Sequence, residues 1–386
     1  MRLKIGFLIP YSSIYPDLPN DIIHGFYAAL PKPQLESNLF EFVPEYVGQG
    51  GAKMVTAAVQ KLLYFSNADL ISGLISYKAM PAVIAELEKR GKLGFFMDMG
   101  ELIPYNQHIS DSVFLNSYQL WQSEYALGYW AHKEFADKGT VLMSLYDAGY
   151  HLQSSFRQGA ISAGSKEMDF TVLHGDPAQS QVKENIHIFF KKAYEKFPSY
   201  IHALFCGSEA VEFYREFAAS GLNGKVPLIV SAHMASEEIL DQLSGLSLEI
   251  YSASLYNYAS EDAANKKFKR DFESLTGRKA NLFALLGYEM GVAIQELIPY
   301  LQKRDYKTVS ALLKAERLQT PRGERSFYLD SDYSLPQIDI EKITINDGKI
   351  SRIVVSQGRA LKYNDLVYDE IHRENISGWQ NPYLCV

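Results

Sequence analysis

Cysteine and long apolar runs are scarce in this chain. Its 386 residues include only two cysteines, Cys206 and Cys385. Two cysteines are too few for a disulfide framework, and a chain of this length can bury enough apolar surface to fold without one. No apolar run approaches the roughly 18 residues that a membrane-spanning helix needs. The chain is therefore not expected to span a membrane.

The N-terminal apolar run is also short. It covers residues 5–9 and ends at Pro10, whereas the apolar core of a signal peptide needs about 7–15 residues. We expect this run to be a buried first strand. Either the protein is cytoplasmic, or an export signal is missing from the sequence given.

An excess of positive charge is absent as well. Lysine and arginine total 38 against 45 aspartate and glutamate, which gives a net charge of −7. This balance argues against a broad nucleic-acid or anionic-membrane surface. Hydrophobic residues make up 47% and charged residues 22% of the chain, which excludes a disordered or fibrous protein.

Sequence signatures of catalysis are missing too. Residues 48–53 (GQGGAK) lack the spacing of a phosphate-binding loop, and residues 159–164 are one residue too long for a nucleophile elbow. None of the nine histidines forms a metal-binding pair. We expect no metal, no cofactor and no enzymatic activity, and keep an α/β enzyme with an unrecognised site as a remote alternative.

Short apolar runs alternate with amphipathic, helix-length segments over the first two thirds of the chain. Many of the runs are continuously apolar, which is typical of parallel strands covered by helices on both faces. This alternation predicts a doubly wound α/β architecture. The predicted strands cover residues 3–9, 39–47, 69–75, 93–98, 112–115, 140–146, 168–174, 201–206, 227–231 and 247–256.

The pattern changes after about residue 258. Helices are predicted over 260–276, 282–302 and 306–315. Strands are then predicted over 326–329, 338–345 and 350–355, the last two joined by a turn at Asn346-Asp347-Gly348 as an antiparallel hairpin.

Three segments resemble a known family. Residues 4–15 (KIGFLIPYSSIY) with the helix at 20–30 resemble the opening of type I periplasmic-binding proteins of the branched-chain amino-acid (Leu/Ile/Val) group. Residues 69–77 (DLISGLISY) resemble a later strand of that family, and residues 139–150 (GTVLMSLYDAGY) resemble the first strand and helix start of its second lobe.

The resemblance implies two doubly wound, Rossmann-like α/β lobes joined by three crossing strands, which close on a ligand like a flytrap. Lobe 1 would comprise residues 1–116 plus 252–328, and lobe 2 residues 117–251 plus 329–386. The change of pattern near residue 258 is then the return of the chain to the first lobe.

Ligands of open parallel sheets bind outside the carboxyl ends of the strands. We expect ligand-binding residues in the loops at those ends and, for two aromatic residues, at the rim. They are Ser13, Tyr15, Ser76, Tyr77, Lys78, Asp98, Met99 and Gly100 in the first lobe, Tyr150, Gly207, Ser208 and His233 in the second, and Tyr256 and Phe283 at the rim.

The resemblance also implies roles for some of these residues. In the amino-acid binders, hydroxyls at the position of Ser76 hold the ligand carboxylate, and here Lys78 can assist. An acid near the position of His233 holds the ammonium, but histidine is a poor partner for an ammonium. Asp98 and Asp147 are candidate substitutes for that acid. We therefore expect a small polar or aromatic organic molecule, either amino-acid-like or organic-acid-like.

The resemblance implies a solute-binding protein for ABC-type uptake. Its partners would be the small-molecule ligand and an ABC permease, not nucleic acid, and its location would be periplasmic or extracellular. The alternative is a cytosolic ligand-sensing regulator of the same fold.

Overall fold

Strands and helices alternate along the first part of the chain, as the apolar pattern predicts. The computed structural model describes residues 2–12, 15–32, 38–145, 147–173, 181–330, 333–363 and 365–374. The first elements are β1 (Leu3–Ile9), α1 (Leu18–Ala29), β2 (Phe40–Tyr46), α2 (Ala52–Tyr64), β3 (Leu70–Leu74), α3 (Met80–Arg90), β4 (Leu93–Asp98) and β5 (Val113–Ser117).

These five strands form one parallel sheet in the order β2-β1-β3-β4-β5. Every residue of β3 and β4 is buried, because helices cover both faces of the sheet. On one face Phe7 of β1 packs in the same core cluster as Phe26 of α1. On the other face Ile71 of β3 packs with Val59 of α2. This is the core of the first lobe.

The next stretch builds a second sheet. Its elements are α4 (Leu120–Phe135), β6 (Gly139–Ser144), α5 (Leu152–Ala163), β7 (Met168–Leu173), α6 (Gln181–Lys196), β8 (Ile201–Leu204), α7 (Gly207–Ala219), β9 (Leu228–Val230), α8 (Glu237–Leu240) and β10 (Ser247–Ser254). The strands β7-β6-β8-β9-β10 are parallel neighbours in that order. The second lobe therefore repeats the strand order of the first.

The chain then returns to the first lobe with a set of helices. They are α9 (Ala263–Thr276), α10 (Leu282–Gln295), α11 (Ile298–Gln302) and α12 (Tyr306–Ala315). The prediction of one helix over 282–302 is wrong, because a break separates α10 from α11. Pro299 occupies the first turn of α11, where its missing N–H is tolerated, whereas inside a continuous helix it would remove a hydrogen bond.

The last elements are β11 (Leu318–Thr320), β12 (Gly323–Arg325), β13 (Asp339–Asn346), β14 (Lys349–Gln357) and α13 (Val367–Arg373). β13 and β14 extend the second sheet as the predicted antiparallel hairpin. Asp347 and Gly348 both have positive φ angles, of 50° and 75°, as a tight two-residue hairpin turn requires. The strand predicted over 326–329 does not form. A single backbone hydrogen bond, from the N–H of Leu115 in β5 to the carbonyl of Phe327, joins this segment to the first sheet.

Three connections thus join the two lobes, after β5, after β10 and between β12 and β13. A buried ion pair holds the turn between β11 and β12, just before the third connection, beside the start of the first. Arg322 donates to both carboxylate oxygens of Glu289 on α10, at 2.9 and 2.5 Å, and to the carbonyl of Ser117 at 3.1 Å. The Arg322 and Glu289 side chains are 2% and 0% exposed. A salt bridge inside the first lobe therefore fixes the hairpin from which the third connection leaves.

One helix pair in each lobe packs at very short range. A Cβ added to Gly287 of α10 would lie 1.9 Å from the carbonyl oxygen of Ile22 in α1. A Cβ added to Gly128 of α4 would lie 1.9 Å from the carbonyl oxygen of Phe156 in α5. Both positions require glycine because the helix backbones touch there.

The predicted fold class is confirmed: the chain forms a two-lobe α/β fold with mostly parallel sheets. None of the helices in the described parts of the chain is long and apolar enough to cross a membrane. The residue limits of the two lobes stay a prediction.

Candidate functional site

The strand order itself points to a site in each lobe. An order of 2-1-3-4-5 reverses direction between its first and third strands, and ligands bind at the carboxyl ends on either side of that reversal. In the first lobe the reversal lies between β1 and β3, and in the second between β6 and β8. Loops that follow these strands carry most of the predicted site residues.

Asp98, at the end of β4, organises the loops of the first lobe. Its carboxylate accepts hydrogen bonds from the N–H of Gly100 at 2.7 Å, the Ser117 hydroxyl at 2.7 Å and the Tyr77 hydroxyl at 3.2 Å. Burial raises the pKa of Asp98 to about 6, against the lowering effect of these donors. Tyr77 and Asp98 therefore join the ends of three neighbouring strands to one another.

Met99 and Gly100 lie in the loop that follows Asp98. Met99 is 8% exposed and belongs to the first core cluster. Gly100 has a φ of +75°, and a Cβ there would lie 2.4 Å from the backbone of Gln119. These two residues shape the loop beside the first connection: the Met99 side chain packs into the core, and Gly100 has no side chain.

Ser76 differs from these neighbours because its hydroxyl forms no hydrogen bond with the described residues. The residue is 1% exposed, and within the described residues its Oγ has no hydrogen-bond partner. It precedes α3, whose N-terminus has no side-chain cap. A buried hydroxyl without a partner is costly. At the start of α3 the N–H of Met80 already donates to the carbonyl of Tyr77 at 3.3 Å, and Pro81 has no N–H, so the Ser76 hydroxyl is the donor that this corner offers. This corner of the first lobe is suited to a negatively charged group.

Lys78 lies at the seam between the lobes. Burial lowers the pKa of Lys78, and the nearby carboxylate of Glu101 opposes that shift. The carbonyl of Glu101 accepts a hydrogen bond of 2.9 Å from the N–H of His151 in the second lobe. The loops after β3 and β4 therefore face the second lobe directly.

Aromatic rings line another part of the same edge. Tyr15 and Phe283 pack edge to face with ring centroids 5.0 Å apart. Burial, and then the negative charge of Glu238 in the second lobe, raise the pKa of Tyr15 to about 12. Tyr256 instead donates to Asn265 at 2.5 Å within the first lobe. The predicted residue Ser13 lies outside the described residues.

In the second lobe, Asp147 follows β6 and is fully buried. It accepts a hydrogen bond of 2.7 Å from the Ser144 hydroxyl, and burial raises its pKa to about 7. Tyr150 is fully buried beside it, and its N–H donates to the carbonyl of Asp147 at 3.2 Å. Asp147 is therefore only partly ionised at neutral pH.

His233 follows β9 near the same edge. Its Nε2 lies 3.2 Å from the hydroxyl of Ser231, and burial lowers the pKa of His233 to about 4, so the imidazole is neutral at pH 7. Gly207 opens α7 with a φ of +54°, and Ser208 is exposed on the first turn of that helix. The predicted residues of the second lobe thus share one edge but differ in accessibility.

Asp147, Cys206 and His233 lie close enough to suggest a metal site, with one potential ligand atom from each within 4.8 Å of the others. Cys206 is not a free thiol, however, and a zinc or copper site of this kind uses a thiolate. The trio does not offer the donor set of a metal site.

Sequence reasoning did not find Glu101 and His151, which bring the two lobes into contact, or Glu238, whose charge acts on Tyr15 of the other lobe. His151 and Glu238 lie at or next to the first turns of α5 and α8, which is the only local signal for them. Their importance depends on the opposing lobe, which no sequence pattern specifies.

Comparisons with known proteins agree with this fold. A search of curated protein sequences finds no match. Among solved structures, an ABC transporter solute-binding protein from R. palustris in complex with benzoate has a TM-score of 0.71 at 20% identity, covering 94% of this chain and 99% of that chain. An ABC transporter substrate-binding protein from Sphaerobacter thermophilus has a TM-score of 0.75 at 19% identity, with 95% and 100% covered.

A third similar structure is a branched-chain amino acid transporter substrate-binding protein from Streptococcus pneumoniae in complex with isoleucine. Its TM-score is 0.68 at 17% identity, and 92% of this chain and 99% of that chain are covered. At these identities the likeness establishes the fold. The sequence model of a family described as periplasmic binding protein matches residues 3–335. The chain therefore belongs to the periplasmic binding protein family, as its sequence motifs indicate.

Proposed function

We propose that this protein is a solute-binding protein, not an enzyme, and that it captures a small organic carboxylate between its two lobes. The observation that carries the proposal is Ser76, whose buried hydroxyl has no partner among the described residues. Lys78, two residues on, adds a positive charge at the seam. A hydroxyl and an ammonium together suit a carboxylate.

The second lobe supports an organic acid over an amino acid. Asp147 is fully buried and has a pKa raised to about 7, so it does not offer a full negative charge. His233 is neutral at pH 7 because its pKa is lowered to about 4. Neither group is a strong partner for an ammonium. The partly exposed ring of Tyr15, which packs edge to face on the buried Phe283, adds a surface on which a ligand ring can pack.

Two of the similar structures hold ligands of this chemistry. The R. palustris protein contains benzoate and the S. pneumoniae protein contains isoleucine, and both ligands carry a carboxylate. An aromatic carboxylate fits the present chain better, because its second lobe lacks a strong acid at the position expected for the ammonium.

Capture would proceed by closure of the lobes on the ligand. The described arrangement already has contacts across the seam, with the N–H of His151 on the carbonyl of Glu101 and an ion pair between Lys279 and Glu237. A ligand that touches both lobes stabilises this closed state. The closed protein would then deliver the ligand to an ABC permease outside the cytoplasm, in the periplasm or at the cell surface.

A calorimetric and thermal-shift series tests the proposal. We expect benzoate or a hydroxybenzoate to raise the melting temperature by linkage and to bind more tightly than isoleucine. Ser76→Ala should weaken binding about 10- to 100-fold, because a hydrogen bond to a charged group contributes about 1.5–3 kcal/mol. Ser220→Ala, at the far end of α7, is the matched control. Binding unaffected by Ser76→Ala, or no binding of any carboxylate, would refute the proposal.

A further inference from the structure

A segment near the C-terminus lies across both lobes. It comprises residues 359–363 and 365–374 and ends in α13, and we call it the C-terminal strap. Its buried side chains are Leu361, Tyr368 and Ile371, which are 4%, 4% and 0% exposed. The strap lies beyond residues 3–335, which the family sequence model matches. Its role is therefore a question about this chain in particular.

The strap is bonded firmly to the second lobe. At its start, Gln122 of α4 and Leu361 exchange two hydrogen bonds, of 2.7 and 2.8 Å. At its end, the carboxylate of Glu374 meets Gln158 at 2.5 Å and Arg157 at 3.1 Å, both on α5. These contacts include a charge pair and a reciprocal amide pair, and they hold the two ends of the strap on α4 and α5.

The polar contacts of the strap with the first lobe are fewer and longer. The Tyr105 hydroxyl donates to the carbonyl of Tyr368 at 3.3 Å, and the Tyr105 ring packs edge to face on His372 with centroids 4.6 Å apart. The Tyr363 hydroxyl donates to Asn106 at 3.4 Å. These contacts involve one short loop of the first lobe, between β4 and β5, and the Tyr363 ring also packs against the core cluster that contains Ile71 and Val59.

The same loop meets the second lobe directly. The N–H of Ile103 donates to Nδ1 of His151 at 3.0 Å, and the N–H of His151 donates to the carbonyl of Glu101 at 2.9 Å. The His151 ring also packs edge to face on His372 of the strap, with centroids 5.4 Å apart. Strap, loop and α5 therefore form one contact region across the seam.

We propose that the C-terminal strap moves with the second lobe and stabilises the closed arrangement by resting on the loop at 101–108 of the first lobe. The unequal contacts carry this inference: when the lobes part, the weaker set on Tyr105 and Asn106 breaks, while the stronger set on α4 and α5 remains. The strap thus opposes opening even without a ligand. The proposal goes beyond the choice of ligand, and its test needs none.

The test uses the full-length protein without ligand. Tyr105→Ala removes the hydroxyl and ring contacts with the strap, and Tyr105→Phe removes only the hydroxyl. Tyr46→Ala is the matched control, since Tyr46 lies in the same lobe and is 74% exposed. Hydrogen exchange of residues 101–108 and 365–374 and the radius of gyration from X-ray scattering are measured for each variant.

We expect faster exchange in both segments and a larger radius of gyration for Tyr105→Ala. For Tyr105→Phe the exchange should rise about 2- to 10-fold, the equivalent of one neutral hydrogen bond, and Tyr46→Ala should match the wild type. Should Tyr105→Ala fail to fold, Tyr105→Phe still decides the question. Unchanged exchange in Tyr105→Phe overturns the proposal, and so does faster exchange in residues 365–374 alone with an unchanged radius.

Discussion

The buried histidine at the seam gives the most direct test of the structural reasoning. His151 is 6% exposed, and its Nδ1 accepts the N–H of Ile103, so the ring is held in its neutral form. Burial, followed by the nearby charges of His372 and Lys78, lowers its pKa to about 3. The ordinary value in an unfolded chain is about 6.5.

The sign and size of the effect follow from linkage. The unfolded chain binds this proton as the pH falls below about 6.5, whereas the folded protein does not until about pH 3. The stabilisation is therefore present above pH 6.5 and is lost as the pH falls toward 3. At pH 5 the loss is 1.5 pH units at about 1.4 kcal/mol each, or about 2 kcal/mol.

The assay compares the wild type with His151→Asn by urea unfolding at pH 7 and pH 5. Asparagine keeps an oxygen that can accept the N–H of Ile103, but it does not titrate. The free energy of unfolding of the variant should therefore fall by about 2 kcal/mol less than that of the wild type between the two pH values. The buried carboxylates titrate in both proteins, so their contributions cancel. Equal pH dependence in the two proteins would show that His151 is not held neutral by the seam.

Two further perturbations have distinct expected results. Asp147→Asn should have the opposite sign, because a carboxyl whose pKa is raised to about 7 gains stability as the pH falls; the variant should lose more stability than the wild type between pH 7 and 5, and a smaller loss would contradict the reasoning. Glu289→Gln leaves Arg322 buried without its charge partner and should cost about 3–5 kcal/mol in urea unfolding. Its control, Glu249→Gln, breaks an exposed pair with Lys342 and should cost less than about 1 kcal/mol; equal losses would refute the importance of the buried pair.

Most of the fold could be predicted from the sequence, because its strands are apolar runs bounded by polar loops. The run at residues 3–9 coincides with β1, and the run at 93–98 coincides with β4. The Asn346-Asp347-Gly348 turn also forms its hairpin, since the backbone conformation it needs is local. The break at Pro299 was missed because apolar spacing continues across it, although proline itself signals a new helix start.

The candidate site could be predicted only as a set of loops. The sequence places Tyr77 and Asp98 after neighbouring strands, but not that they bind each other and so organise the lobe. Ser76, one residue earlier, looks equally polar in the sequence and has no such partner among the described residues. The direction of a side chain in a loop depends on tertiary contacts that no local pattern encodes.

The contacts of the C-terminal strap also could not be predicted from the sequence. Its helix, Val367–Arg373, is short and mostly exposed, and its contacts join residues more than 200 positions apart, such as Tyr105 with Tyr368. Propensity and periodicity describe neighbours along the chain. Contacts of this separation come from the arrangement of the lobes.

The glycine contacts within each lobe bear on how the ligand's binding energy is used. At Gly287 and at Gly128 the helices meet backbone to backbone, with no flexible side chain between them to absorb displacement. Each lobe should therefore behave as a stiff body with few internal degrees of freedom. A ligand that bridges the lobes then does little work in deforming either one, and its binding energy changes mainly their mutual orientation through the three connections.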